Sequence, residues 1–308
     1  MKKDYLIVAG TEKSGTTSIY QYLRVNPKIV GSSRKETDYF RSAPPHSLKA
    51  YEALFPEADP SLTFMEASPG YLSESNLAAP AIAALIPNAK IFFILRDPID
   101  RILSSFEFHK SRFLIPADLS FDHYIDLCMS FDKGEIDAKE AGIDAWFLRV
   151  LDAGRYASHL RDYTAHFASS QIKVLTLDRL QHDPRGFMCD VCKWAELDSK
   201  LYSDFGFIRA NVTFTPRFAW LQHLGLWVND SLEPFFNRHP VIKRKLLSAY
   251  KKANLQDTTK TSVSPNSRRL LIDYYSSDVE QLRACFGEDV AEAGNWLKKY
   301  HKLNARGG

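Results

Sequence analysis

A lysine, two glycines and three consecutive hydroxyl side chains follow the first apolar run of the chain. The stretch from Tyr5 to Leu23 reads YLIVAGTEKSGTTSIYQYL, which predicts a short strand, a glycine-bounded loop and the start of a helix. The free N–H groups of a first helical turn attract anions, and Gly15 lets the backbone turn sharply beside them. The hydroxyl groups of Thr16, Thr17 and Ser18 add further donors. The stretch therefore predicts a phosphate-binding loop.

The position of the lysine argues against an ATP-hydrolysing loop. A Walker A motif places lysine directly after its second glycine, but Thr16 stands there and Lys13 lies inside the loop. A nucleoside kinase of the P-loop class would need a lysine at Thr16 and a Mg²⁺-binding carboxylate. A non-catalytic nucleotide-binding module is a third alternative, and it has no need for Lys13.

A second phosphate contact is predicted where another apolar run ends. Ile91 to His109 reads IFFILRDPIDRILSSFEFH, which indicates a buried strand followed by a helix that begins near Pro98. Arg96 falls at the carboxyl end of that strand, where open α/β sheets bind ligands, and Ser104 follows it by eight residues. An arginine can grip a phosphate through two parallel N–H bonds.

These two motifs, in this order, resemble those of the sulfotransferases that use 3′-phosphoadenosine-5′-phosphosulfate (PAPS). The resemblance implies that the first loop binds the 5′-phosphosulfate, with Lys13 donating to the bridging oxygen, and that Arg96 and Ser104 bind the 3′-phosphate. The stretch that corresponds to the family's K-G-R nucleotide loop, Leu255 to Val263, keeps Lys260 as its only cation. The implied nucleotide-binding residues are thus Lys13, Ser14, Gly15, Thr16, Thr17, Ser18, Arg96, Ser104 and Lys260.

Two further segments are similar to those of the heparan-sulfate sulfotransferases. RKETDYF (Arg34 to Phe40) resembles their K-E-x-x-[FY]-F segment and implies that Glu36 is the catalytic base. MEASPGYL (Met65 to Leu72) resembles E-K-[ST]-P-x-Y-F, with Ala67 in place of the lysine. His109 is the alternative base, because cytosolic small-molecule sulfotransferases use histidine.

The expected activity is sulfuryl transfer from PAPS to a hydroxyl or amine of a carbohydrate-type acceptor, with release of 3′-phosphoadenosine-5′-phosphate (PAP). A glycolipid, a small alcohol or phenol, and a lipid metabolite remain alternative acceptors. No metal is expected to be required, because lysine and backbone amides face the charge of the leaving group.

The apolar runs alternate with helical patterns and predict a P-loop-like three-layer α/β fold, a central parallel sheet flanked by helices. We expect one domain over residues 1–308, with 217–254 as a helical, aromatic-rich insertion or an acceptor-side flap. Its aromatic residues, at helical spacing, are most simply part of the core; the alternatives are an acceptor-binding flap and a surface patch that meets a lipid-linked acceptor. Predicted strands are Tyr5–Ala9, Thr63–Ala67, Lys90–Leu95 and Lys173–Leu177, with a loop at Asp178 to Pro184.

Composition is that of an ordinary globular protein, with 45% hydrophobic residues and a formal net charge of +3, and it does not indicate nucleic-acid binding. Cys189 and Cys192 lie one turn apart on a predicted helix without the further ligands of a zinc site. No apolar run approaches the roughly 20 residues of a membrane span. The chain begins directly at its first predicted strand, and PAPS is made in the cytosol, so we expect a bacterial, cytoplasmic enzyme.

Overall fold

The computed structural model describes residues 3–208, 215–216, 228, 255–256 and 261–304. Its centre is a five-stranded sheet in the order β2-β3-β1-β4-β5, in which every neighbouring pair is parallel. The predicted central parallel sheet is confirmed. The strands are Asp4–Gly10 (β1), Ile29–Gly31 (β2), Thr63–Ala67 (β3), Lys90–Leu95 (β4) and Ile172–Thr176 (β5).

Helices connect and cover these strands. In chain order, those within the described ranges are Thr16–Arg24 (α1), Leu48–Glu52 (α2), Ser75–Leu85 (α3), Pro98–Ser111 (α4), Phe121–Asp132 (α5), Ala138–Ala141 (α6), Ala145–Leu148 (α7), Tyr156–His166 (α8), Leu177–His182 (α9), Pro184–Ala195 (α10), Pro265–Phe286 (α11) and Ala293–Asn304 (α12). Thr215–Pro216 and Leu255–Gln256 form a separate antiparallel pair.

Both faces of the sheet are buried, because successive strand residues point to opposite sides. Ile7 and Phe93 belong to one apolar cluster, which α3, α4, α8, α11 and α12 complete. Val8 and Phe92 belong to a second cluster, under α1 and α10. This two-sided burial explains why β1 and β4 read as continuous apolar runs instead of alternating ones.

The register of the two central strands brings their following loops together. β1 pairs directly with β4, and Gly10 lies opposite Phe93 near the carboxyl end of both strands. The Thr11 N–H, the first beyond β1, donates to the Ile94 carbonyl over 2.9 Å. The two motifs singled out from the sequence therefore emerge side by side at one edge of the sheet.

Two local predictions were wrong. The segment predicted as a loop at Asp178 to Pro184 is mostly helix α9, because the Thr176 side chain accepts from the Arg179 N–H (3.2 Å) and caps a new helical turn. The edge strand β2 was not predicted, since three residues are too short for a period-2 pattern.

The region 217–254, predicted as an insertion or flap, lies outside the described residues apart from Val228. Within the described ranges, none of the helices combines the length and apolar character that a membrane crossing requires.

Candidate active site

The loop between β1 and α1 has the backbone shape of an anion cradle. Lys13 has φ of 64° and Gly15 has φ of 89°, both in the left-handed region. A Cβ added to Gly15 would also lie 3.3 Å from Leu177 Cδ1, so the position requires glycine. Because the chain folds back at these two residues, the first turn of α1 opens toward the loop.

The start of α1 offers donors and no competing acid. Gly15 caps the helix without a side-chain hydrogen bond, and no acidic residue lies in the first turn. The Ser14 hydroxyl is buried and has no hydrogen-bond partner among the described residues. An anion placed there would satisfy both the orphaned hydroxyl and the helix N-terminus.

Lys13 extends from this loop toward α4. Its Nζ lies 3.8 Å from the centroid of the Phe108 ring. Burial, together with the nearby cations Arg96 and Arg112, lowers the pKa of Lys13 to about 8 against the opposing effect of Glu12. The ammonium group is thus poorly solvated, and a bound anion would stabilise it.

Arg96 is tied to the same loop. Its Nη1 donates to the Lys13 carbonyl over 3.1 Å, and its own carbonyl accepts from the Tyr156 hydroxyl over 2.8 Å. Ser104 lies half-buried in the second turn of α4. The structure therefore places Arg96 directly against the backbone of Lys13.

The turn that carries Arg96 is fixed from the C-terminal helix. The Asp97 carboxylate caps α4 by accepting from the Ile99 N–H (2.9 Å). It also accepts from Lys299 Nζ and from the Tyr300 hydroxyl, each over 2.9 Å. Burial and the neighbouring Asp100 raise the pKa of Asp97, while Lys299 and Tyr300 favour its charged form.

A cavity of about 380 Å³ opens beside the loop. Arg101, Ser105 and His109 line it from one face of α4, since they are spaced four residues apart. Its remaining walls are Thr11 and Glu12 of the loop, the segment from Ser73 to Asn76, and residues of the α7–α8 region: Trp146, Arg149, Val150, Asp152, Ala153, His159 and Asp162.

Glu12 was not recognised from the sequence, because a glutamate in a loop is usually solvated. Burial raises its pKa, against the opposing charge of Arg101, and the charge of Glu36 raises it further. Arg101 is only 1% exposed; its Nη2 donates to the Val150 carbonyl, while its Nε has no partner among the described residues. Only tertiary packing reveals this pair of charges.

His109 lies deeper in the same cavity. It is 7% exposed, and its ring centroid is 4.6 Å from that of Phe147. Burial lowers the pKa of His109 to about 4, with Lys13 and Arg101 adding to the effect. Its Nδ1 has no hydrogen-bond partner within the described ranges. The ring is therefore neutral at physiological pH.

Glu36 occupies a more open position. Its Oε1 lies 2.6 Å from Lys35 Nζ, and its side chain is 48% exposed. It does not line the cavity, but its charge acts on Glu12, which places the two carboxylates near each other.

The segment that carries Glu36 is held by a buried carboxylate that the sequence did not single out. Glu66, at 0% exposure, accepts from the hydroxyl groups of Thr37, Ser68 (2.7 Å), Tyr51 (3.0 Å) and Tyr71 (3.2 Å). Burial raises its pKa, and these four hydroxyl groups oppose that shift. Since Thr37 follows Glu36, the network fixes the backbone beside the predicted base.

Two sequence predictions remain to be placed. Lys260 lies outside the described residues; its neighbour Thr261 donates to Glu107 of α4 over 3.1 Å. Cys189 and Cys192 lie on the helix predicted for them, α10, where Cys192 is buried and Cys189 is half-buried. Among the described residues, no group of three or more His, Cys, Asp or Glu side chains is arranged to hold a metal ion.

A parallel α/β sheet with an anion loop after β1 and an arginine after β4 defines a protein that binds a phosphorylated ligand at the carboxyl edge of its strands. The sulfotransferase domain family model matches residues 3–205. The chain therefore belongs to the sulfotransferase domain family, and the resemblance inferred from its motifs is confirmed.

Individual relatives agree with this assignment. The chain is 36% identical over 146 residues to the membrane-associated sulfotransferase kil1 of Dictyostelium discoideum, covering 44% of this chain and 31% of that protein. It is 30% identical over 196 residues to the mouse bifunctional heparan sulfate N-deacetylase/N-sulfotransferase 4, covering 61% of this chain and 22% of the relative. The chain thus spans less than a third of the length of either protein.

The fold also matches a solved structure over nearly its full length. The crystal structure of a sulfotransferase from Alicyclobacillus acidocaldarius superposes with a TM-score of 0.63 at 21% identity, covering 95% of this chain and 99% of that one. At 21% sequence identity, this structural similarity shows a shared fold and nothing about the activity.

Proposed function

We propose that the protein transfers the sulfuryl group of PAPS to a hydroxyl or amine of a carbohydrate-type acceptor and releases PAP. The observation that carries this proposal is the direct contact between the two predicted phosphate motifs, Arg96 Nη1 on the Lys13 carbonyl. The orphaned Ser14 hydroxyl and the open N-terminus of α1 fit a 5′-phosphosulfate beside them. The heparan sulfate relatives support a carbohydrate acceptor.

In this reaction an acceptor oxygen forms a bond to sulfur while the bond between sulfur and the 5′-phosphate oxygen breaks. Lys13 is placed to stabilise the negative charge that remains on the departing phosphate, and the amides of the loop assist it. Arg96 and Ser104 hold the 3′-phosphate by charge-assisted hydrogen bonds. These residues position the reactants and neutralise charge, which is the main contribution a protein makes to such a transfer.

The acceptor proton needs a base. Following the resemblance, we propose Glu36, whose carboxylate is 48% exposed and can meet an acceptor from solvent. A second candidate function, transfer to a small alcohol or phenol with His109 as base, is favoured by the position of His109 in the cavity. Burial lowers the pKa of His109 to about 4, which makes it a weaker base than an ordinary histidine.

The cytoplasmic location, the bacterial source and any contact with a lipid-linked acceptor stay predictions. The free thiols of Cys128 and Cys192 in the core are compatible with a reducing compartment. Fractionation of the source cells tests the location, and recovery of the protein outside the cytosolic fraction would contradict it.

Calorimetric titration with PAP, ADP and AMP tests the donor site. PAP should bind much more tightly, because ADP and AMP lack the 3′-phosphate that Arg96 and Ser104 contact. Arg96→Ala should cost on the order of 1.5–3 kcal/mol in PAP binding, typical of a hydrogen bond to a charged group. Arg185→Ala, at an exposed position of α10, serves as the matched control. Equal affinity for PAP and ADP would overturn the assignment.

A further inference from the structure

The cavity beside the phosphate loop has a size and a charge that restrict what can occupy it. Its volume of about 380 Å³ lies near the lower end of the roughly 300–1,000 Å³ typical of small-molecule sites. It can therefore enclose one or two rings of a compact compound, while a longer polymer would have to remain largely outside.

Acidic side chains outnumber basic ones in its lining. Four carboxyl groups, Glu12, Glu74, Asp152 and Asp162, face the two guanidinium groups of Arg101 and Arg149. Two histidines also line the cavity: burial lowers the pKa of His109, whereas Asp152 raises the pKa of His159 against the effect of burial. The four acids are half-buried, whereas Arg149 is exposed and its charge is screened by water. Arg101 is buried and already donates to the Val150 carbonyl. The cavity therefore disfavours a negatively charged occupant.

The acids differ in what they already bind. Asp162 accepts from the Ser75 hydroxyl over 2.7 Å, and Asp152 lies 3.4 Å from His159 Nε2. The side chains of Glu12 and Glu74 form neither a hydrogen bond nor an ion pair with any described residue, and of these two only Glu12 directly precedes Lys13. It is thus the carboxylate best placed to bind an acceptor near the transferring group.

Two residues that line the cavity each carry a buried polar atom without a hydrogen-bond partner among the described residues. Arg101 Nε and His109 Nδ1 are buried without a hydrogen bond in the described part of the chain, in side chains that are 1% and 7% exposed. Buried polar groups are nearly always satisfied in folded proteins.

We infer that this cavity is the acceptor site and that it takes a compact polyhydroxylated compound of one or two rings that carries no negative charge. Glu12 is the specificity-determining residue: it accepts hydrogen bonds from hydroxyl or ammonium groups and repels carboxylates and sulfates. This inference rests on the proposed function, and it separates the protein from enzymes whose acceptors are polyanions.

Equilibrium binding to the protein saturated with PAP tests the inference. Three disaccharide probes differ in charge: chitosan disaccharide is cationic, N,N′-diacetylchitobiose is neutral, and the glucuronate-containing disaccharide of heparosan is anionic. The cationic and neutral probes should bind at least tenfold more tightly than the anionic one. Glu12→Lys should reduce that preference at least tenfold, with Glu12→Gln intermediate.

Glu57→Lys, the same charge change at an exposed residue outside the cavity, should leave the preference unchanged. The inference would be overturned if the anionic probe bound as tightly as the other two or more tightly, or if no probe bound measurably. It would also be overturned if Glu12→Lys and Glu57→Lys showed the same preference for the cationic and neutral probes over the anionic one. PAP affinity is measured in each variant as a check on folding. If the wild-type protein does not bind PAP, the proposed function itself is refuted.

Discussion

The environment of Lys13 destabilises its charged form. Its ammonium group lies against the Phe108 ring and near two arginines, and its pKa is about 8 instead of the usual 10.5. A desolvated cation interacts more strongly with charge that develops beside it than a solvated one would. The same burial makes this lysine sensitive to pH in a range where ordinary lysines stay protonated.

The pH dependence of kcat/KM for PAPS should report this lysine. Because the protonated form is required, kcat/KM should fall as pH rises through about 8, whereas kcat should hold to higher pH since bound PAPS stabilises the ammonium. In Lys13→Arg the guanidinium stays charged, so the alkaline fall should disappear from the remaining activity. A wild-type profile that stays flat to pH 10 would contradict this role.

Substitutions of Glu36 and His109 distinguish the two candidates for the catalytic base. Glu36→Gln retains size and hydrogen bonding but cannot accept a proton, so PAP should still bind while turnover drops by roughly 10²–10⁴. His109→Ala should lower turnover less, because its pKa of about 4 makes it a weak base. Near-normal turnover in Glu36→Gln together with an inactive His109→Ala enzyme would reverse the two roles and favour small alcohols or phenols as acceptors.

At the scale of elements, the site depends on how helices fix the strand ends. Arg96 leaves β4 in a turn whose next residue, Asp97, caps α4 and is bound by two side chains of α12. The Glu66 network similarly fixes the segment around Glu36 against β3. Each functional side chain is therefore positioned by an element that is distant in sequence.

Tyr300→Phe should expose this dependence. It removes a hydroxyl donor from a buried carboxylate while keeping the ring, so it should lower the free energy of unfolding by on the order of 1–3 kcal/mol. PAP affinity should weaken as well, because the turn that carries Arg96 loosens. Tyr274→Phe removes a hydroxyl from the exposed contact with Asp132 and should have little effect on either quantity. Chemical denaturation measures the free energy of unfolding. If Tyr300→Phe kept both the stability and the PAP affinity of the wild-type protein, the prediction would be refuted.

At the scale of the whole molecule, the C-terminal segment completes the site. The family model ends at residue 205, yet α11 and α12 pack on the same core as β1 and β4. Asp278 of α11 accepts from the backbone of Ala157 and Ser158 at the start of α8, and α12 holds Asp97. The described part of the chain thus behaves as one packed unit around the carboxyl edge of the sheet.

The sheet could be predicted from the sequence because its central strands are buried on both faces. β3 and β4 have the predicted bounds, and β1 differs by one residue at each end. The short helices α6 (Ala138–Ala141) and α7 (Ala145–Leu148) have only four residues each, too few for a helical pattern in the sequence. Weak local patterns of this kind are decided by tertiary packing.

The site was predictable only in part. Lys13 and Arg96 could be singled out as candidates because they follow two strands that the sequence predicts, and the structure places them in contact. Glu12, Glu66 and Arg101 could not be assigned roles, since their importance comes from burial and from partners far away in sequence. A local pattern cannot show that a charged residue is enclosed.

The proposed role of Lys13 can be tested directly by measuring the transfer of labelled sulfuryl groups from PAPS in the wild-type protein and in Lys13→Ala. If Lys13 acts mainly on the charge of the departing phosphate, the variant should lose far more turnover than PAP affinity. EDTA should leave wild-type transfer largely intact. Turnover in Lys13→Ala within about threefold of wild type, which is under 1 kcal/mol of barrier, would mean that the loop is only a scaffold and would contradict the account.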